Sequence, residues 1–507
     1  MCSVECANYS SVYSLKNRSK VEKQLFFEIS HGHYKEVHTK PMIVSALGAI
    51  PKKGSNSIRL IHDCSRPPGH AVNDFSYNSP FKYQSLQDAI DLISPNSYLA
   101  KIDLSQAYRV VKIHPTNYQA TGLKYTFAGE STPRYFIDTR LPFGASRSPA
   151  IFNTLTQAVK HIFQTKTLIP GTGCVAYLDD FLIVAPDKLT CQQRLSDLLS
   201  LLRKLGFWIN YSKVVGPSQR ITFLGIVLDS TQMTIELPKD KLEELRSCLE
   251  NMIKRRKTTK KALQSLAGKL NWATQCIYGG RFHLRRILDS INTLRKPWHH
   301  LRITKDMTAD IQWWLTYMNH FNGCMDMVDP RPLSPLYIDA CPTAAGAFFN
   351  GEWVYTPWIT CFPDASSHHI NYKEVLALEP AIKTWAPLWQ NKKICVYTDN
   401  QAAAAIINKG SSKDPLVMSS LRRIFWMSAI FNFRLTAVYI PGSQNYLADA
   451  VSRLHEPNGV NKLLMLTQYV YNTPDLYLCI YRNPENSGTI LGPTSENAQI
   501  TGICPKH

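Results

Sequence analysis

Two adjacent acids, Asp179 and Asp180, stand inside YLDDFLIVA (177–185), between runs that are otherwise apolar, β-branched or aromatic. Runs of that length read as strands, and the acids between them read as the tight turn of a hairpin. A turn needs only polar residues, so the pair alone decides nothing. Upstream, AKIDLSQAYRVV carries Asp103 near the end of a second apolar strand, with Ile102 and Leu104 on the opposite face by the period of two. Laid side by side, the strands bring Asp103 and Asp179 together. Carboxylates that close repel strongly unless neutralised, and two divalent cations with oxygen ligands are the usual solution. Cations held about 4 Å apart can activate an attacking 3′-oxygen and stabilise the leaving oxygens of an in-line displacement at phosphorus. The chemistry implied is nucleotidyl transfer.

A second set of acids follows the same logic. Asp339 closes the run LYIDA, Glu374 lies in a helical stretch, Asp399 ends KICVYTD, and Asp449 lies in YLADAVSRL. Each alone reads as a helix cap or a strand-end turn residue. Four of them on elements that would pack together suggest another two-metal site, with water as nucleophile and phosphodiester hydrolysis as the reaction.

The elements that must position these acids follow from periodicity. Residues 1–40 are polar and without clear period, an extension of uncertain structure. From Pro41 to Glu236, strand-like runs alternate with helical ones: SIRLIHD (57–63), SYLAKIDL (97–104), GCVAYL (173–178), FLIVA (181–185) and ITFLGIVL (221–228). Residues 237–330 change texture, with Leu242, Leu245, Leu249 and Met252 on one helical face. PRPLSP (330–335) reads as a linker. The α/β pattern of 331–456 then places Val375, Leu378, Ile382 and Trp385 on one helix face, and 457–507 reads as a tail or the start of a missing region.

Composition narrows the partners. A chain of 507 residues is too long for one core and implies two or three domains. Its net charge of +19 suits a polyanion, nucleic acid first. The excess is local: Lys254 to Lys305 holds 14 Lys and Arg against one acid, Asp289, with Trp272, Tyr278, Phe282 and Trp298 interleaved. That mixture fits a surface that tracks a nucleic-acid backbone. The 13 cysteines are scattered singly, as free thiols in a reducing compartment would be. Neither a signal peptide in MCSVECANYSSVY nor a membrane-length apolar run of about 20 residues is seen, so an intracellular protein of cytoplasm or nucleus, with no membrane partner, is expected.

Together these segments resemble reverse transcriptases. YLDDFLIV is similar to their YxDD box, IDLSQAY to their first acidic motif, LPFGASRSPAIFN to their LPxG segment, and LGFWINYSKV and TFLGIVLDS to the two elements that follow, the last being the primer grip. TDNQAAAAIIN and YIPGSQNYLADAVSRL, with acids in the order Asp, Glu, Asp, Asp, resemble ribonuclease H of retroelements. The fold implied is α+β: a right-hand polymerase of fingers and palm (41–236), a basic helical thumb and connection (237–330), and an RNase H-like α/β domain (331–456). The cofactors implied are Mg²⁺ or Mn²⁺, two per site, on Asp103, Asp179 and Asp180 and on Asp339, Glu374, Asp399 and Asp449, with Asp180 in the smaller role.

The resemblance further implies that Tyr108 is a steric gate against the ribose 2′-hydroxyl and that Lys52 and Arg59 grip the incoming triphosphate. It makes Lys213 the donor of a proton to pyrophosphate, with a plain surface lysine as the alternative. Phe143 and Gly144 would line the nucleotide site, Phe143 where retroviral enzymes carry Gln. Ser443 stands where some of them have a loop His. The implied partners are an RNA template, a DNA primer, an RNA–DNA hybrid and deoxynucleoside triphosphates. RLIHDCSRPPGHAVND, LAGKLNWATQ, GGRFHLRRILD and NKGSSKDPLVMSSLRRIFW are most like DIRS-type retrotransposons, whose tyrosine recombinase would lie off this chain. The competing readings are a non-catalytic nucleic-acid-binding derivative and a polymerase of an LTR-retrotransposon or pararetrovirus lineage.

Overall fold

The computed structural model describes residues 3–51, 57–77, 81–166, 169–320, 323–471 and 490–491, so Lys52 and most of the expected C-terminal tail lie outside the described residues. The chain divides into two compact units, Met1–Glu236 and Leu237–His507, both mixed α+β.

In the first unit the N-terminal 40 residues are not an extension. They contribute α1 (Arg18–Ser30) and a strand, Tyr34–Val37, and Val12, Val21 and Leu25 are fully buried. The period was hidden because α1 buries a narrow stripe and spends its other faces on charged residues, one of which, Glu28, is itself buried. A hairpin of β1 (Ala46–Pro51) and β2 (Ile58–Asp63) follows. The central sheet has β3 (Tyr98–Asp103) in its interior. Next along the chain come β4 (Gly122–Tyr125), β5 (Arg134–Asp138), which pairs with Tyr34–Val37, and helix α2 (Ser148–Lys166). The hairpin β6 (Gly173–Tyr177) and β7 (Asp180–Ala185) leads into α3 (Lys188–Lys204), whose N-terminus is capped by the Asp187 carboxylate accepting from the Thr190 amide. With β8 (Val215–Ser218) the sheet order is β8-β3-β7-β6, antiparallel throughout. Phe181, Ile183 and Ala185 face α2 and α3 in a core shared with Phe152, Phe163, Leu195 and Leu198.

The stretch expected as one strand, 221–228, is a hairpin of β9 (Arg220–Phe223) and β10 (Ile226–Asp229). Leu224 at φ 49° and Gly225 at φ 83° form its two-residue turn, a pattern hidden by the apolar residues around it.

The second unit joins the expected helical segment to the expected α/β segment. It opens with α4 (Lys239–Ile253), α5 (Lys260–Ala273) and α6 (Lys305–His320). A sheet follows: β11 (Leu333–Ala340), β12 (Ala344–Phe349) and β13 (Glu352–Pro357), then α7 (Ile370–Leu376), α8 (Leu378–Trp385), β14 (Lys393–Thr398), α9 (Gln401–Lys409), α10 (Pro415–Ile430), β15 (Arg434–Tyr439) and α11 (Tyr446–Ser452). Among these strands the order is β15-β14-β11-β12-β13, parallel across β15, β14 and β11 and antiparallel beyond.

Three expectations are corrected in this unit. The PRPLSP linker is partly strand, because β11 starts at Leu333 and carries Pro335 in register with Cys395. The single helix through Val375 and Trp385 is two, α7 and α8, since Pro380 has no amide to donate to the carbonyl four residues earlier. Two aromatics expected on the basic surface are interior: Phe282 stacks on Phe425 at 3.7 Å, and the Tyr278 hydroxyl accepts from the Leu435 amide. Trp298 is exposed, with Lys296 Nζ 5.4 Å from its ring centre, and Lys254 to Lys257 are all exposed.

Candidate active sites

In the first unit the carboxylates are set by strand register. β3 and β7 run antiparallel with Asp103 opposite Asp180, so their side chains share one face. Tyr177 pairs with Asp180 across the hairpin, which makes Leu178 and Asp179 the turn residues and corrects the expected Asp179–Asp180 turn by one position. Leu178 adopts φ 51°, costly for a branched residue, and is held there by packing against the core below. The Leu104 amide donates to the Asp179 carbonyl at 2.8 Å, which locks the turn to the end of β3.

The electrostatics agree with a cation site. Burial first, then the Asp179 charge, push Asp180 up to about 6; burial and the nearby Asp103 charge raise Asp179 as well. Lys213 Nζ lies 3.1 Å from Asp103 Oδ2, and Asn210 Nδ2 donates to Asp103 Oδ1 at 3.1 Å. Asn210 escaped the sequence reading; its only signal is a polar residue inside LGFWINYSKV. The Lys213 side chain is more than half exposed, so its ion pair is weak and exchangeable.

Tyr108 sits in a one-turn helix, Ala107–Val110, preceded by Gln106 at φ 53°. Its ring is 4.9 Å from Phe143 and 5.4 Å from Phe152, and burial raises its hydroxyl to about 12. Arg59 on β2 is exposed, with its guanidinium carbon 5.8 Å from the centre of the Phe143 ring. Gly144 adjoins β2: a Cβ there would lie 2.1 Å from the His62 carbonyl oxygen. Arg59, Tyr108, Phe143 and Gly144 thus form one wall near the carboxylates.

In the second unit the acids come from separate elements. Asp339 is on β11, Glu374 on α7 and Asp399 just past β14, and their ligand oxygens all lie within 4.8 Å of one another. Asp449 on α11 stands outside that set, its carboxylate 2.6 Å from Arg453 and 3.6 Å from Lys462. Burial, then Asp339 and Asp399, push Glu374 up to about 9; burial and the Asp399 and Asp449 charges push Asp339 to about 6. Three clustered carboxylates, all raised, are a donor set that fits hard divalent cations, which would supply the missing positive charge.

Local bonds hold this set. Asn400 caps α9 through the Ala403 amide and donates to Asn371 Oδ1 at 2.9 Å, fixing the start of α7 to the end of β14. Ser452 Oγ donates to Asp339 Oδ2 at 2.6 Å, a partner the sequence reading missed. Helix α11 lies against β12 at Gly346, where a Cβ would fall 2.3 Å from the Ser452 amide nitrogen. The loop holding Ser443 borders the site: a Cβ on Gly442 would lie 3.1 Å from Asp399 Oδ2.

Residues 50–228, which include Asp103, Asp179 and Asp180, match the family model for reverse transcriptase (RNA-dependent DNA polymerase). Over that stretch the chain is similar to reverse transcriptases. The Transposon Tf2-3 polyprotein of Schizosaccharomyces pombe is 22% identical over 435 residues, which is 80% of this chain and 28% of that polyprotein. The Gag-Pol polyprotein of Koala retrovirus is 26% identical over 179 residues, 35% of this chain and 10% of that one. The chain therefore spans about a quarter of the length of the Tf2-3 polyprotein. Among solved structures, a foamy viral protease-reverse transcriptase in complex with dsDNA covers 87% of this chain and 85% of its own, at 18% identity and TM-score 0.51. A second, in complex with RNA/DNA hybrid, covers 87% and 55% at the same identity and TM-score. These likenesses concern the fold. Among the described residues no helix is long and apolar enough to cross a membrane.

Proposed function

We propose that the chain is an RNA-directed DNA polymerase with a linked ribonuclease H, copying a retrotransposon RNA into DNA and hydrolysing the RNA of the resulting hybrid. The observation that carries the first half is the register of Asp103 opposite Asp180 with Asp179 in the turn between β6 and β7, inside the stretch similar to reverse transcriptases. When bound, Mg²⁺ or Mn²⁺ would lower the pKa of the primer 3′-hydroxyl and neutralise phosphate charge. The chain's own part is to aim Asp103, Asp179 and Asp180 from rigid strands, to exclude a 2′-hydroxyl with Tyr108, to grip the triphosphate with Arg59 and Lys52, and to offer Lys213 as proton donor.

The second half rests on the Asp339, Glu374 and Asp399 cluster and on the run β15-β14-β11-β12-β13 within the sheet, three strands parallel and two antiparallel, an RNase H-like arrangement. Asp449 would be the fourth residue to hold a cation there if Arg453 and Lys462 released its carboxylate. The exposed Lys254–Lys257 stretch, paired through Lys257 with Arg302, fits the backbone of template and primer. The DIRS-type assignment rests on the motifs quoted above and is tested by whether a tyrosine recombinase is encoded beside this reading frame.

The deciding experiment is primer extension on RNA and DNA templates with Mg²⁺ or Mn²⁺, beside the double variant Asp179→Asn, Asp180→Asn. Wild type extends and the variant does not; equal extension by both overturns the reading.

A further inference from the structure

Behind the Tyr108–Phe143 wall lies a group of five ionisable side chains, each less than a tenth exposed: Glu28, His33, His62, Arg109 and Asp138. Arg109, the residue after Tyr108, is at its centre. Its Nε donates to Glu28 Oε2 at 3.0 Å and its Nη1 to Asp138 Oδ2 at 2.9 Å. Nη1 also approaches the Leu141 carbonyl at 3.4 Å, and the guanidinium lies 5.1 Å from the centre of the Tyr34 ring. His33 Nδ1 bonds Glu28 Oε2 at 2.8 Å, and His62 Nδ1 stands 3.6 Å from Asp138 Oδ2.

These contacts join five pieces of chain. Glu28 is on α1 and His33 just past it, His62 is on β2, Arg109 is in the turn that carries Tyr108, Asp138 ends β5, and Leu141 begins the segment that holds Phe143. The His62 amide donates to the Phe143 carbonyl at 2.9 Å, and the Leu141 amide donates to the Val111 carbonyl at 3.1 Å. The same group therefore holds both sides of the wall, Tyr108 through Arg109 and Phe143 through His62 and Leu141. Burial works to raise the Asp138 carboxyl, but Arg109 and His62 outweigh it and keep it below the usual range, so the pair is ionic. An ion pair sunk this deep gains little over a well-packed apolar core, whereas loss of one partner is costly. It is suited to fixing geometry.

We infer that Arg109, with Glu28, His62 and Asp138, positions the nucleotide pocket: the buried group sets the separation of the Tyr108 and Phe143 rings and through it the preference for deoxynucleotides over ribonucleotides. The inference rests on the reading of Tyr108 as the gate against the 2′-hydroxyl. It makes the N-terminal helix α1, which carries the buried Glu28, a determinant of substrate choice.

The test measures kcat/KM for dNTP and for rNTP by the full chain and by Glu28→Gln, Arg109→Lys and Tyr108→Ala, with melting midpoints for each. Glu28→Gln keeps the shape and, through its amide oxygen, an acceptor for Arg109 Nε, and it leaves Asp138 paired with the guanidinium, so it is the milder change beside Arg109→Lys; the amide turns its NH2 toward Gln24, whose own amide can flip to accept. The expected result is a dNTP over rNTP ratio about tenfold lower in Glu28→Gln, measured well below its lowered melting midpoint. An unchanged ratio in folded Glu28→Gln, with Tyr108→Ala relaxed, overturns the positioning role and leaves the gate standing. An unchanged ratio in Tyr108→Ala overturns the gate itself and the inference with it.

Discussion

The two carboxylate sites solve one electrostatic problem by different routes. In the first unit, two neighbouring strands and a two-residue turn supply all three acids, so register alone aligns them. In the second, Asp339, Glu374 and Asp399 come from a strand, a helix and a strand end, and their alignment depends on how α7 and α11 pack on the sheet. The first site also carries its own counter-charge, Lys213 on Asp103, whereas the second leaves three acids facing one another and Glu374 raised to about 9. Glu374 is buried and the most strongly raised acid of either site, whereas Asp180 and Asp339 are both pushed to about 6 and Asp399 stays the most open member of its cluster.

The sharpest way to break this comparison is Gly346→Val. The added side chain would displace α11, and with it Ser452 and Asp449, at a cost of about 3 kcal/mol or more. Hybrid hydrolysis should vanish while primer extension persists; loss of both in a folded protein would mean the sites are not separately built. Next comes Lys213→Met, expected to slow single-nucleotide extension about 10²-fold without touching hybrid hydrolysis. Rapid-quench extension rates at wild-type level would return Lys213 to an ordinary surface lysine.

A smaller effect is expected from the partners of the acids. Ser452→Ala should lower hybrid hydrolysis about tenfold and raise the Mg²⁺ concentration needed, and Asn210→Ala should do the same for extension. Mg²⁺ titrations of each activity check both, and a shift in the wrong activity would contradict the assignment. The smallest effect is thermodynamic and is read on metal-free protein in chelator. Glu374 is raised in the folded chain, so the folded state binds the extra proton between the ordinary carboxyl range and about 9. Its contribution to stability is full at low pH and is lost as pH rises toward 9. Glu374→Gln should therefore melt a few degrees above wild type at pH 9 and converge with it near pH 4. A wild-type advantage at pH 9 would place the carboxylate in a less repulsive setting.

How much of this was legible in the sequence follows the same divide. That Asp103 comes beside the Asp179–Asp180 pair was legible because strand period and turn chemistry are local properties, with the turn itself displaced by one residue. The α+β pattern and the order of acids in the second unit were also legible. Hidden were the features that depend on tertiary packing: α1 as part of the core, the interior places of Tyr278 and Phe282, the break of one helix into α7 and α8, and the hydrogen bonds of Ser452 and Asn210. The buried group around Arg109 gave no sequence signal, since Glu28, His62, Arg109 and Asp138 lie on four separate segments.

The central claim, two separately built carboxylate sites on one chain, is tested most directly by assaying both activities on two variants. The account predicts that Asp179→Asn, Asp180→Asn abolishes primer extension and leaves hydrolysis of an RNA–DNA hybrid intact, and that Asp399→Asn does the reverse. Loss of both activities in either variant, with melting midpoints unchanged, would contradict it.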